Sequence, residues 1–186
     1  MSRVIAGTYG GRRLQTPPGQ GTRPTSDRVR EALFSTLDSL TDLDEARVAD
    51  LYAGSGAVGL EAVSRGAGHV TLVESAPAAV RAVRANIAAL GVGGVVTLVT
   101  TAVERAVAAP PAQPFDVIFA DPPYDLPDAD LASVLAAIGA NGWLADDGLL
   151  AVERSTRSPE PTWPDVVTSG RGRRYGETTL WYGRRS

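Results

Sequence analysis

The chain has 186 residues, 44% of them hydrophobic, enough for one full-sized core and too few for two independent ones. It has no cysteine and a single histidine, His69, which excludes disulfides, thiolate zinc sites, cysteine nucleophiles and multi-histidine metal centres. The net charge of -3 averages three unlike stretches: residues 1–30 carry Arg3, Arg12, Arg13, Arg23, Arg28 and Arg30 against Asp27 for a net +5, residues 154–186 are net +4, and the middle holds -12.

Every cation is an arginine, a side chain that forks onto phosphate and stacks on bases, so the basic ends point to nucleic acid. The clustering carries that inference; an alanine-rich chain without lysine can reflect genomic base composition alone. No apolar run approaches the ~20 residues of a membrane span, and the N-terminus lacks the apolar stretch of a secretory signal. A soluble, cytoplasmic monomer is expected, with no membrane partner and no metal.

In chain order, residues 3–6 and 12–15 flank Gly-Thr-Tyr-Gly-Gly and predict a small β-hairpin. A helix is predicted from Asp27 to Leu40, with Val29, Leu33, Leu37 and Leu40 on one face. Short β-branched runs then alternate with alanine-rich helical runs, the pattern of an α/β parallel sheet with crossover helices. Strands are predicted at 47–52, 70–74, 95–99, 115–120 and 148–153, and helices near 57–65, 77–90, 102–108 and 127–139. The strand-like runs 165–169 and 178–182 are joined only by Gly-Arg-Gly-Arg-Arg-Tyr-Gly-Glu, too short for a crossover helix, so an antiparallel hairpin should close the sheet. One domain over 1–186 is expected, with 1–22 as a hairpin extension and 23–186 as a catalytic core. His69, at a strand edge, is read as a solvated polar residue.

The first parallel strand runs into Gly54-Ser55-Gly56-Ala57-Val58-Gly59, a G-x-G-x-x-G at a strand-to-helix turn. Glycines allow a tight turn and close ligand approach, and the next helix offers free amides. The motif alone serves NAD enzymes equally well. Asp50, four residues before Gly54, would repel a pyrophosphate but attract the amino group of S-adenosylmethionine. Glu74, twenty residues after Gly54, can accept from ribose hydroxyls. Thr101 and Ala102, at the end of the third strand, stand where an adenine edge would be read.

After the fourth strand comes Asp121-Pro122-Pro123-Tyr124, at the same carboxyl edge of the sheet as the glycine loop. Two prolines stiffen the backbone and remove two amide donors, leaving the Pro122 carbonyl beside the Asp121 carboxylate. Two acceptors facing one amino group favour the pyramidal nitrogen that attacks a methyl, and Tyr124 can stack on a base.

At these residues the sequence resembles the class I methyltransferases with an N/D/S-PPY/F motif, and among them the bacterial RsmD type. The resemblance covers nearly the whole chain, through RVIAGTYGGRRLQTP, TRPTSDRVREALFSTL, DLYAGSGAVGLEAVSRGA, FADPPY and NGWLADDGLLAVE. It implies a Rossmann-like seven-stranded sheet, five parallel strands plus the hairpin, and transfer of a methyl from S-adenosylmethionine to a guanine amino group of small-subunit ribosomal RNA. It further implies cofactor contacts at Asp50, Gly54, Ser55, Gly56 and Glu74, and catalysis at Asp121, Pro122, Pro123 and Tyr124. Arg23, Thr25, Asp27 and Arg30 match a segment bordering cofactor and RNA, with Thr25 and Arg30 on the cofactor side. Arg3, Arg12, Arg13, Arg23 and Arg28 would face RNA. The chain departs from the pattern at Thr101, where related chains carry Asn or Asp. Three alternatives stay open: an amino methyltransferase acting on adenine, cytosine or protein glutamine; a dinucleotide oxidoreductase, which leaves DPPY unexplained; and a non-catalytic RNA-binding assembly factor.

Overall fold

A computed structural model describes residues 2–18 and 26–186, so Arg23 and Thr25 lie outside the described residues. Strands β1 (Ser2–Arg3) and β2 (Arg13–Leu14) form an antiparallel pair, shorter than the sequence predicts. Positive φ at Gly7 (81°) and Gly11 (85°) turns the chain between them, and a side chain replaces the ladder: Ile5 and Ala6 donate their amides to the Glu61 carboxylate at 2.7 and 3.0 Å.

Helix α1 (Asp27–Leu40) begins where expected, because the Ser26 hydroxyl accepts from the Val29 amide at 3.2 Å and caps it. Its Val29, Leu33, Phe34 and Leu37 are buried. Then follow β3 (Arg47–Leu51), α2 (Ala57–Ser64), β4 (His69–Val73), α3 (Pro77–Leu90), β5 (Val96–Val99), α4 (Val103–Val107), β6 (Phe115–Ala120) and α5 (Asp128–Ala140). The last strands are β7 (Leu144–Ser155), β8 (Val167–Tyr175) and β9 (Thr178–Arg185). Proline at the start of α3 and left-handed Gly91 (φ 68°) after it set that helix's bounds.

The seven strands lie in the order β5-β4-β3-β6-β7-β9-β8, the first five mutually parallel and the hairpin β8–β9 antiparallel. This is the Rossmann-like methyltransferase sheet expected. One correction concerns its end: residues 171–175, read as a loop, belong to β8, and the turn is only Gly176-Glu177. The strands carry near-continuous apolar runs because both faces are covered. On one face α1, α2, α3 and the buried Val4 and Leu14 of the N-terminal hairpin pack together. On the other, α4 and α5 pack on Leu51, Ile118, Leu150 and Val152. Among the described residues, no helix is long and apolar enough to cross a membrane.

Candidate active site

From β3 the chain steps outward through β4 to β5, then returns to place β6 on the opposite flank of β3. The carboxyl ends of β3 and β6 therefore part into the crevice where open α/β sheets bind ligands. Leu51 at the end of β3 pairs with Ala120 at the end of β6, and the Asp121 amide donates to the Leu51 carbonyl at 3.4 Å. That register brings the glycine loop and the Asp121–Tyr124 segment together. An open depression of about 550 Å³, lined by residues including Leu40, Asp44 and Arg65, lies at the far end of α1 and takes no part in this crevice.

Gly54 and Gly56 turn the loop with φ of 59° and 81°, and Gly56 caps α2 without a side-chain hydrogen bond. Among the described residues nothing accepts from the Ala57 or Val58 amides, so they face the crevice as open donors. Gly59 has a different duty: a Cβ there would come within 2.2 Å of Leu72 and 3.4 Å of the Asp50 Cβ, so glycine lets α2 press onto the sheet.

Asp50 lies beneath the loop, 2% exposed, with Oδ2 accepting from the Gly59 amide at 3.0 Å. Burial pushes its carboxyl up to about 8, against the Gly59 bond, and the Glu74 charge adds to the rise. Glu74 is half-buried at the end of β4. Its Oε1 accepts from Gly54 at 2.7 Å, and Oε2 accepts from Ser75 and Ala76 at 2.8 and 3.0 Å. Half-buried Thr101 and exposed Ala102 follow β5 along the same edge. Ser55 is half-buried in the loop.

On the other side of the crevice Asp121 is half-buried, Pro122 buried, Pro123 exposed and Tyr124 about half exposed at 49%. Among the described residues none donates to the Pro122 carbonyl. The loop is gripped from below by Arg154 of β7, whose side chain is 5% exposed. Its guanidinium donates to the Pro123 carbonyl at 3.4 Å, the Leu126 carbonyl at 3.0 Å and Asp128 Oδ1 at 2.7 Å.

Two further residues escaped sequence reasoning. Tyr52, between β3 and the loop, takes a left-handed φ of 60°, uncommon for an aromatic residue. Its hydroxyl is buried, and burial, with Glu104 adding, raises the phenol well above its ordinary value. Asn86 of α3, 1% exposed, donates to the Gln15 carbonyl at 2.9 Å and the Ser55 carbonyl at 3.0 Å, and accepts from the Gln15 amide at 2.7 Å. The bonds join positions 31 and 71 residues apart, which no local pattern encodes.

The structure places Arg30 at the base of the N-terminal hairpin. Its guanidinium is fully buried, donates to Ser2 Oγ at 3.2 Å and to the Arg3 carbonyl, and pairs with Asp27 at 3.2 Å and Glu61 at 3.6 Å. Glu61, itself 0% exposed, requires this countercharge, so Arg30 pins the N-terminal hairpin. Burial lowers the Arg30 pKa against the pull of Glu61 and Asp27. Of the arginines expected to face RNA, Arg13 and Arg28 are exposed, Arg3 is exposed and pairs with Asp27 at 3.4 Å, and exposed Arg12 donates to the Ala89 carbonyl at 2.7 Å.

Comparison with known proteins agrees with this geometry. The chain is 38% identical over 162 residues to ribosomal RNA small subunit methyltransferase D of Escherichia coli (strain K12), covering 87% of this chain and 79% of that one. It is 36% identical to YlbH of Bacillus subtilis (strain 168), covering 95% of each. The solved Escherichia coli yhhF structure superposes with a TM-score of 0.87 at 34% identity, covering 100% of this chain and 98% of that one. The family model described as conserved hypothetical protein 95 matches residues 2–184, and the chain belongs to that family, the RsmD-type methyltransferases.

Proposed function

We propose that this methyltransferase acts on ribosomal RNA, moving a methyl from S-adenosylmethionine to the exocyclic amino group of a guanine in the small subunit. The observation that carries the reading is the Leu51–Ala120 register, which sets the glycine loop opposite the DPPY segment across one crevice. The relatives named as ribosomal RNA methyltransferases support the substrate class.

The residues present fit the cofactor. Open amides at the start of α2, the Glu74 carboxylate at the loop and Asp50 beneath it form a donor and acceptor set for an amino acid joined to a ribose. Thr101 and Ala102 border the adenine end. When bound, S-adenosylmethionine supplies a methyl on a positively charged sulfur.

The rest is done by the chain. Asp121 Oδ and the Pro122 carbonyl accept from the two hydrogens of the target amine and aim its lone pair across the crevice. Tyr124 stacks on the base. Asp121 also stabilises the positive charge that grows on nitrogen as the N–C bond forms, and the proton that nitrogen then sheds passes to solvent. Much of the acceleration comes from holding the reactants in line.

The test is tritiated methyl transfer to small subunits from a strain lacking the enzyme, with mass mapping of the product. A label on a guanine amino group is expected. A label on adenine, cytosine or protein glutamine would overturn the substrate reading, and RNA binding without transfer would make the chain an assembly factor.

A further inference from the structure

The C-terminal basic segment separates into two sets. Arg154 is spent on the DPPY loop, Arg184 donates to the Asp147 and Leu40 carbonyls at 2.8 Å each, and Arg185 donates to the Leu144 carbonyl at 2.5 Å. By contrast Arg171, Arg173 and Arg174 stand exposed on β8, and none forms an ion pair among the described residues.

Among the described residues, strand β8 is the edge of the sheet and pairs with β9 alone. Residues paired across strands share a face. Arg171 and Arg173 pair with Tyr182 and Leu180, which pack on the α1 side. Arg174 pairs with Thr179, which pairs in turn with Arg154. The arginines thus line both faces of one open edge. The row Arg154–Thr179–Arg174 sets the Arg174 backbone two strand spacings, roughly 10 Å, from the residue that grips the DPPY loop. Arg28 lies at the same end of the molecule, since the opposite end of α1, Leu40, meets Arg184 at the far end of β7.

We propose that β8 is a docking track for the phosphate backbone of the RNA substrate, with Arg171, Arg173 and Arg174 gripping nucleotides that flank the target base. Arginine forks suit phosphate, and a bare strand edge bearing them on both faces follows a bending backbone better than a flat patch. The proposal rests on the RNA methyltransferase reading above.

The test uses the whole chain, an in vitro small-subunit ribosomal RNA transcript, and the variants Arg171→Gln/Arg173→Gln/Arg174→Gln and Arg174→Gln alone. For the triple variant, RNA affinity is expected to fall at least tenfold, and the slope of log affinity against log salt to lessen by about 2, the release expected from three single-stranded phosphates. The single variant should lose about one third of that slope. Cofactor affinity and Tm should match the parent in both. Parental RNA affinity and slope in both variants would overturn the track. So would a change confined to self-association by light scattering, which would make the arginines guards against edge pairing. A parent that binds no RNA would overturn both this proposal and the RNA reading, whereas a parent that binds RNA indifferently to β8 would overturn the track alone.

Discussion

The Gly54 amide and Glu74 Oε1 meet at 2.7 Å, so the glycine loop after β3 and the end of β4 form one unit although 20 residues separate them. Glu74 also holds the Ser75 and Ala76 amides that lead into α3. Its carboxylate therefore shapes the loop.

Glu74→Ala should weaken S-adenosylmethionine binding by about 1.5–3 kcal/mol, the range for hydrogen bonds to a charged group. Glu74→Gln, which keeps one acceptor oxygen, should lose less. Titration calorimetry checks both, and unchanged affinity in the alanine variant would remove Glu74 from the site.

If Asp121 accepts from the target amine chiefly as the methyl moves, as proposed, Asp121→Ala should lower turnover far more than it weakens substrate binding. Asp121→Asn keeps an acceptor but loses the charge, and should fall between parent and alanine. Single-turnover rates with thermal unfolding on the same proteins decide this. A folded Asp121→Ala protein transferring methyl at the parental rate would sink the mechanism.

Arg154 acts on the reaction through the loop it holds. Arg154→Met removes a charged hydrogen bond to Asp128 and two carbonyl contacts, and should cost about 1.5–3 kcal/mol of transition-state stabilisation while cofactor affinity stays at the parental value. Arg154→Lys should recover part of the rate. In a double-mutant cycle with Asp128→Asn, the double variant should lose less than the sum of the two single losses. Full additivity would show that Arg154 does not work through that pair.

Asp50 gives a pH signature. Its folded pKa is raised to about 8 from an ordinary carboxyl value, so between roughly pH 4 and 8 the folded protein holds a proton that the unfolded chain releases. Stability from this group is full below pH 4 and lost as pH rises through 8. Asp50→Asn, which keeps an acceptor for the Gly59 amide, should gain stability relative to the parent across that window. Chemical denaturation at pH 5 and 8 measures the difference, and a pH-independent gap would mean Asp50 is ionised under the loop.

Local chemistry made much of this molecule legible in the sequence. Helix α1 is legible at 27–40 from its apolar face, and the Ser26 cap seen in the structure explains its start. The first four parallel strands fall within a residue or so of expectation because buried strands demand unbroken β-branched runs, whereas β7 begins at Leu144, four residues before the predicted 148, because the polar Ala145-Asp146-Asp147-Gly148 run hides its start. Strand β8 is legible only in its first half: the Arg-Gly-Arg-Arg run that continues it along the sheet edge has no apolar content, and pairing with β9 makes it strand. The glycine loop and DPPY are contiguous, so both could be read. Arg154, Asn86 and Tyr52 could not, since their roles exist only once β7, α3 and the switch point are assembled. The burial of Arg30 against Glu61 is not legible either, because a basic residue in a basic segment gives no sign of a buried carboxylate across the fold.

Asn86 leaves one consequence. A single amide side chain ties the main chain leaving the N-terminal hairpin to the carbonyl of Ser55 in the glycine loop. If the hairpin shifts on meeting RNA, as the proposed function would have it, this tie would carry the shift to the loop, and occupancy of the loop would act on the hairpin in turn. Thermodynamic reciprocity makes the two effects equal: whatever factor one ligand adds to the affinity of the other is returned in kind. Asn86 is thus the natural place to look for cooperativity between the two substrates, and for an enzyme that commits to its cofactor only in company.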